Sequence, residues 1–135
     1  MMVDLEGVCM DRVTSGSAHR PQFGVEVHRR ESGAVVTPRG ELDHHSVDLL
    51  KEAIDSCISE SRYPIVIDCA GLGFCDSTGL NTLLAARMEI EEAGGEVHLA
   101  AMSPAVSRVF EITGADAVFP MHETLEAALA AIEAG

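Results

Sequence analysis

With 135 residues, 47% of them apolar and 23% charged, the chain is sized for one packed domain and is too apolar to be disordered throughout. Trp is absent and Tyr occurs once, so the core is expected to be aliphatic. A formal net charge of −13 sets the surface against nucleic acid and anionic membranes, whose phosphates would repel it, and admits a basic protein partner.

No stretch approaches the roughly 18 continuous apolar residues of a membrane span. The acidic start Met1-Met2-Val3-Asp4-Leu5-Glu6 lacks the basic-then-apolar order of a signal peptide. Cys9, Cys57, Cys69 and Cys75 show no CxxC spacing, which fits free, buried thiols in a reducing compartment. The expected location is the cytoplasm.

Residues 1–21 have no sustained periodicity and include the loop-like Thr14-Ser15-Gly16-Ser17. They are expected to be a flexible tail ahead of a domain over 22–135. From Gln22 to Arg30 the pattern alternates, with Phe23, Val25 and Val27 on one side and Glu26 and His28 opposite, as in a half-buried strand. Glu31-Ser32-Gly33 reads as a turn, and Ala34 to Leu42 as the second strand of a hairpin.

Asp43-His44-His45-Ser46 opens a helix whose apolar face is Val47, Leu50, Ile54, Cys57 and Ile58. Pro64 introduces the strand Ile65 to Cys69, apolar enough to be central. The glycine-rich Gly71-Leu72-Gly73-Phe74 reads as a tight loop, and Cys75-Asp76-Ser77-Thr78-Gly79 as the mouth of a second helix. Leu80, Leu83, Leu84 and Met88 are its predicted buried stripe, with Ile90 at the edge and Gly94-Gly95 as the stop.

Glu96 to Ala101 is a further strand. Ser103-Pro104 starts a third helix, with Val106, Val109, Phe110 and Ile112 on its apolar side and Gly114 at its end. Val118 to Met121 is a short last strand, and Thr124 to Ala134 a closing helix. The fold class is therefore α/β: a mixed, mainly parallel sheet of about five strands with an N-terminal hairpin and about four helices, mostly on one face.

Enzyme constellations are missing. The glycine-rich loop is not GxxxxGK[ST], and Ser77 does not stand in GxSxG. His44 and His45 are adjacent, and neighbours on a helix point about 100° apart, which is poor for one metal ion. No metal, cofactor or catalytic residue is assigned. What remains is the helix mouth, where unpaired N–H groups and a partial positive charge gather. Asp76 or Ser77 can cap those donors, and plain capping is the ordinary reading of such a pair. A phosphate added to Ser77 would lie in the same favourable field. Gly79, a poor helix former, suits close approach of another chain's backbone, and Leu80 reads as shared between core and surface.

Four motifs occur in order. They are Gly40-Glu41-Leu42-Asp43-His44-His45, then Phe74-Cys75-Asp76-Ser77-Thr78-Gly79-Leu80, then Ala93-Gly94-Gly95-Glu96, and last Ser103-Pro104-Ala105-Val106-Ser107-Arg108-Val109-Phe110-Glu111-Ile112-Thr113-Gly114. Together, over residues 22–134, the chain resembles the STAS family and more narrowly the bacterial anti-sigma factor antagonists of the sporulation type. The resemblance implies a non-enzymatic module that binds an ATP- or ADP-bound anti-sigma factor serine kinase and frees a sigma factor. It also implies that phosphorylation of Ser77 switches the module off and that a PP2C-type phosphatase restores it.

On the same resemblance Asp43, His44, Asp76, Thr78, Gly79, Leu80 and Asn81 are the expected partner surface. Cys75 stands where the family often has Met or an aliphatic residue, and Asn81 where Gly is frequent, which leaves partner choice open. The alternative implied function is a STAS scaffold or small-ligand sensor in which Ser77 is silent. A hydrolase with Ser77 as nucleophile has no assignable base.

Overall fold

The structure, a computed structural model, describes residues 23–134. The expected tail over 1–21 and Cys9 lie outside them. Two strands come first, β1 (Gly24–Arg29) and β2 (Ala34–Leu42), followed by α1 (Val47–Ser59), β3 (Ile65–Asp68) and β4 (Leu72–Cys75). Then come α2 (Ser77–Glu92), β5 (Val97–Ala100), α3 (Pro104–Thr113), a 3₁₀ turn (Ala115–Ala117), β6 (Met121–His122) and α4 (Leu125–Ala134).

The sheet runs β1-β2-β3-β5-β6, with β4 also paired to β2, and has six strands where the sequence suggested about five. β1 and β2 are antiparallel, in a register that sets Val27 opposite Val36. Every other pairing is parallel.

The extra strand is the segment read from sequence as a tight loop, and the length of β2 explains it. β3 pairs only with Ala34, Val35 and Val36, so the C-terminal half of β2 would be left without a partner on that side. β4 takes it over, pairing from Gly40↔Leu72 to Leu42↔Cys75. Pro38, which has no N–H to give, falls in the gap between the two pairings.

Leu50, Ile54 and Cys57 of α1, Leu80, Leu83, Ala86 and Ile90 of α2, and Val106 and Phe110 of α3 share one core with Ala34, Val36, Ile65, Ile67 and Leu99 of the sheet. The opposite face, Val35, Val66 and Ala100, is covered by α4 through Ala128, Leu125, Leu129 and Ile132. Each fully buried aliphatic side chain contributes about 1.5–3 kcal/mol. The hairpin is tied to the end of α1 by Arg29 and Arg62, whose hydrogen bonds pull the exposed Glu60 carboxyl down to about 2.

Two predicted core residues are exposed, Met88 at 59% and Ile112 at 75%. At about 100° per residue, Met88 points some 140° away from Leu83, and Ile112 about 160° away from Phe110. The stripe of α2 runs instead through Leu80, Leu83, Ala86 and Ile90. The last strand also shifts to Met121–His122, because the 3₁₀ turn takes up the chain after Gly114 and seats Phe119 against Phe110, ring edge to face at 5.9 Å.

Cys57, Cys69 and Cys75 are free and buried. Burial pushes the Cys69 thiol up to about 12 and the Cys75 thiol up to about 11, far from the thiolate that reacts. In the folded protein these three are expected to resist a thiol reagent and to label on denaturation, which peptide mass mapping would read.

Candidate functional site

The site forms where two parallel strands end together. Leu42 pairs with Cys75 across β2 and β4, so Asp43 and Asp76 leave the sheet side by side and the chain turns into α1 and α2 from the same edge. The Asp76 N–H donates to the Leu42 carbonyl at 3.1 Å, fastening the junction.

Asp76 caps α2. Its backbone is extended, with φ −94° and ψ −176°, and its Oδ1 accepts from the Gly79 N–H at 2.9 Å. Its carbonyl accepts from the Leu80 N–H at 2.9 Å. The cap therefore belongs to Asp76, and the Ser77 side chain is left free of that work. Ser77 is the first residue of α2 and is exposed. The Ser77 and Thr78 N–H groups lie in the first turn, where a helix supplies no intrahelical acceptor.

Asp43 shapes the neighbouring loop. Its Oδ1 accepts from the His45 N–H at 2.9 Å, its N–H donates to Ser46 Oγ at 3.0 Å, and Ser46 Oγ donates to the Glu41 carbonyl at 2.7 Å. The His45 bond holds the Asp43 carboxyl below the usual carboxylate range, so an anion stands at neutral pH on the loop beside Asp76, the residue before Ser77. His44 is exposed on the same rim.

Of the expected contact residues, Asp43 and Asp76 are brought together by the Leu42↔Cys75 pairing, His44 is exposed next to Asp43 in the chain, and Thr78 and Asn81 are exposed on α2. Gly79 and Leu80 face inward. Leu80 is 4% exposed, and Gly79 packs on the end of β2. A Cβ at Gly79 would stand 2.7 Å from Leu42 Cγ and 3.0 Å from the Leu42 carbonyl oxygen. The glycine is accounted for by this internal contact, without the close approach of a second chain.

Overpacking of this kind costs about 1–3 kcal/mol, and better helix propensity returns about 1 kcal/mol. Gly79→Ala is therefore expected to lower stability by about 0–2 kcal/mol. Urea unfolding measures it.

Two features escaped the sequence reading. Phe74, one residue before Cys75, is 46% exposed. A cleft of 270 Å³ lies between α1 and α2, lined by Lys51, Asp55, Thr78, Asn81, Thr82 and Glu89 among others. Its signal was the spacing Thr78, Asn81, Thr82, Ala85 and Glu89, a polar and small stripe on one helical face. The cleft falls below the roughly 300–1,000 Å³ of small-molecule pockets and suits a side chain of a partner better than a ligand. Among the described residues no three metal-ligating side chains gather, and no helix is long and apolar enough to cross a membrane.

The model of the STAS domain matches residues 24–128. The anti-sigma F factor antagonist of Paenibacillus polymyxa is 29% identical over 110 residues, 81% of this chain and 94% of that protein. Among solved structures, an anti-sigma factor antagonist from Mycobacterium paratuberculosis superposes with a TM-score of 0.76 at 30% identity, over 83% of this chain and 95% of that one. The antagonist SpoIIAA in its unphosphorylated form superposes with a TM-score of 0.71 at 29% identity, over 84% and 98%. The Bacillus protein is also known in its phosphorylated form, with a TM-score of 0.64 at 28% identity, over 82% and 99%. The family match spans most of the chain and the fold agrees with it, and the chain belongs to the STAS domain family.

Proposed function

We propose that this protein is a cytoplasmic anti-sigma factor antagonist that docks through the Asp43–Ser77 surface on an anti-sigma factor serine kinase and so frees a sigma factor. The kinase then transfers the γ-phosphoryl group of ATP to Ser77 Oγ. A new O–P bond forms, the hydroxyl proton leaves, ADP departs, and docking weakens. A PP2C-type phosphatase hydrolyses the phosphoserine and restores the binding form.

One observation carries this reading: Ser77 is exposed at the open end of α2 while Asp76 alone makes the cap. A phosphate there adds about −1.5 to −2 charges in a field that favours anions, so the fold has no need to rearrange. The cost arises at the interface. A dianion beside the Asp43 carboxylate must be stripped of water to dock, against any acid or nucleotide phosphate that the partner presents. The likeness to a protein known in both phosphorylated and unphosphorylated forms supports the same scheme.

The test is incubation with an anti-sigma kinase and ATP, read by intact mass. The expected gain is one phosphoryl group, absent from Ser77→Ala. A Ser77→Ala protein that still gains it contradicts the assignment.

A further inference from the structure

His98 and His122 meet at the β6 edge of the sheet, away from the docking surface. His98 lies on β5 and is 8% exposed. It shares the α4-facing side of the sheet with Ala100, and Ala100 pairs with His122. His98 Nδ1 and His122 Nε2 are 3.0 Å apart, and His98 Nε2 stands 2.9 Å from Glu96 Oε1. The ring planes differ by 13° and the centroids are 5.2 Å apart. With nitrogens so much closer than centroids, the rings meet edge to edge. That line has room for a proton but not for a metal ion, which needs about 2.0–2.1 Å to each nitrogen.

The proton arrangement follows from the donors. Glu96 accepts from the His98 Nε2–H, so His98 Nδ1 either accepts from the His122 Nε2–H or donates to His122 Nε2. Either way one proton lies between the two nitrogens. A second would set N–H against N–H and turn the contact from attractive to repulsive.

Burial, and after it the charge of His98, holds the proton affinity of His122 below its ordinary value. The neighbouring carboxylates favour protonation, Glu96 of His98 above all at 2.9 Å, but none is among the causes that set the direction at His122. Asp68 at the end of β3 accepts from the Ala70 N–H, and Glu133 of α4 pairs with Arg30. Glu123 and Glu126 are exposed and are not among the causes acting on His122.

The backbone pairing of this edge is short, whereas α4 is held separately by the packing of Ala128, Leu125, Leu129 and Ile132 and by the Arg30–Glu133 pair. β6 pairs with β5 only at Leu99↔Met121 and Ala100↔His122. The flanking bonds are Leu99 N–H to the Pro120 carbonyl at 2.9 Å and Ala101 N–H to the His122 carbonyl at 3.0 Å. The chain then runs directly into α4.

We propose that His98 and His122 form a pH-sensitive clasp that fastens β6 to the edge of the sheet at neutral pH and loosens it on acidification. The sign follows from proton counting. Below about pH 6.5 the unfolded chain protonates both rings, whereas the closed clasp refuses the second proton. The stabilisation is complete above that pH and is lost as pH falls from there toward the depressed value of His122.

The test is backbone amide exchange of the full chain by NMR at about pH 7.5 and about pH 5.5, corrected for intrinsic exchange, with the imidazole ¹⁵N shifts followed in the same samples. The Ala101 amide is expected to lose about tenfold in protection relative to the Cys69 amide. In His122→Gln, which can donate to His98 but does not titrate, that loss should vanish. Unchanged Ala101 protection in the unmodified protein, or the same acid loss in His122→Gln, overturns the clasp. So do ¹⁵N shifts showing that both rings protonate without change at Ala101, a result that does not require the variant to fold.

Discussion

Ser77→Asp is expected to weaken binding to the cognate anti-sigma kinase by about 5- to 150-fold, the range of a coupling of 1–3 kcal/mol. Ser77→Ala should bind like the unmodified protein. The carboxylate stands at an exposed position at the mouth of α2, where the N-terminal field favours it. It should therefore leave the fold intact, and unfolding midpoints of the two variants should agree closely. The loss belongs to the interface, where a new anion joins the Asp43 carboxylate held ionised by the His45 N–H. Titration calorimetry with ADP present reads it directly. Because the fields involved are close to the surface, part of the difference should fade as salt is raised. A salt-independent loss would point to a steric rather than an electrostatic cause.

Phe110→Ala is expected to be the most damaging single core change, costing about 3–5 kcal/mol. Phe110 is fully buried and meets Phe119 edge to face at 5.9 Å. Loss of the ring leaves a cavity where α3 packs on β4 and on the 3₁₀ turn, and an aromatic pair that adds about 0.5–1.5 kcal/mol is lost as well. Against a total stability of about 5–15 kcal/mol, the folded population should fall sharply. Ile112→Ala, two residues along the same helix but 75% exposed, should stay within about 0.5 kcal/mol. Urea midpoints of the pair test whether α3 faces inward as described.

Much of the fold was legible from period and punctuation. Ala34 to Leu42 is a strand with the bounds that alternation suggested, and Leu50, Ile54 and Cys57 form the inner face of α1. Ser103 caps α3 ahead of Pro104, its Oγ accepting from the Val106 N–H at 3.4 Å. β4 was hidden because its four residues include an exposed glycine and a half-exposed Phe74. Its reason to exist lies in the length of β2, a non-local matter. Met88 and Ile112 were misplaced because an apolar residue can sit on either side of a helix, and only packing decides.

The site was legible as residues and not as geometry. Asp76 and Ser77 were both candidate caps, and only the Asp76–Gly79 hydrogen bond separates their roles. The closeness of Asp43 to Asp76 depends on the Leu42↔Cys75 register, which no local pattern states. Gly79 carried a correct mark of close approach, but the approaching atoms are those of Leu42 within the same chain. The cleft between α1 and α2 needed both helices in place.

The measurement that bears most directly on the account is a calorimetric titration of one preparation against its anti-sigma kinase with ADP, before and after phosphorylation mapped to Ser77. The expected result is tight binding before and at least about tenfold weaker binding after, equivalent to about 1.4 kcal/mol, with the amide spectrum changed only around the start of α2. Equal affinity in both states would contradict it.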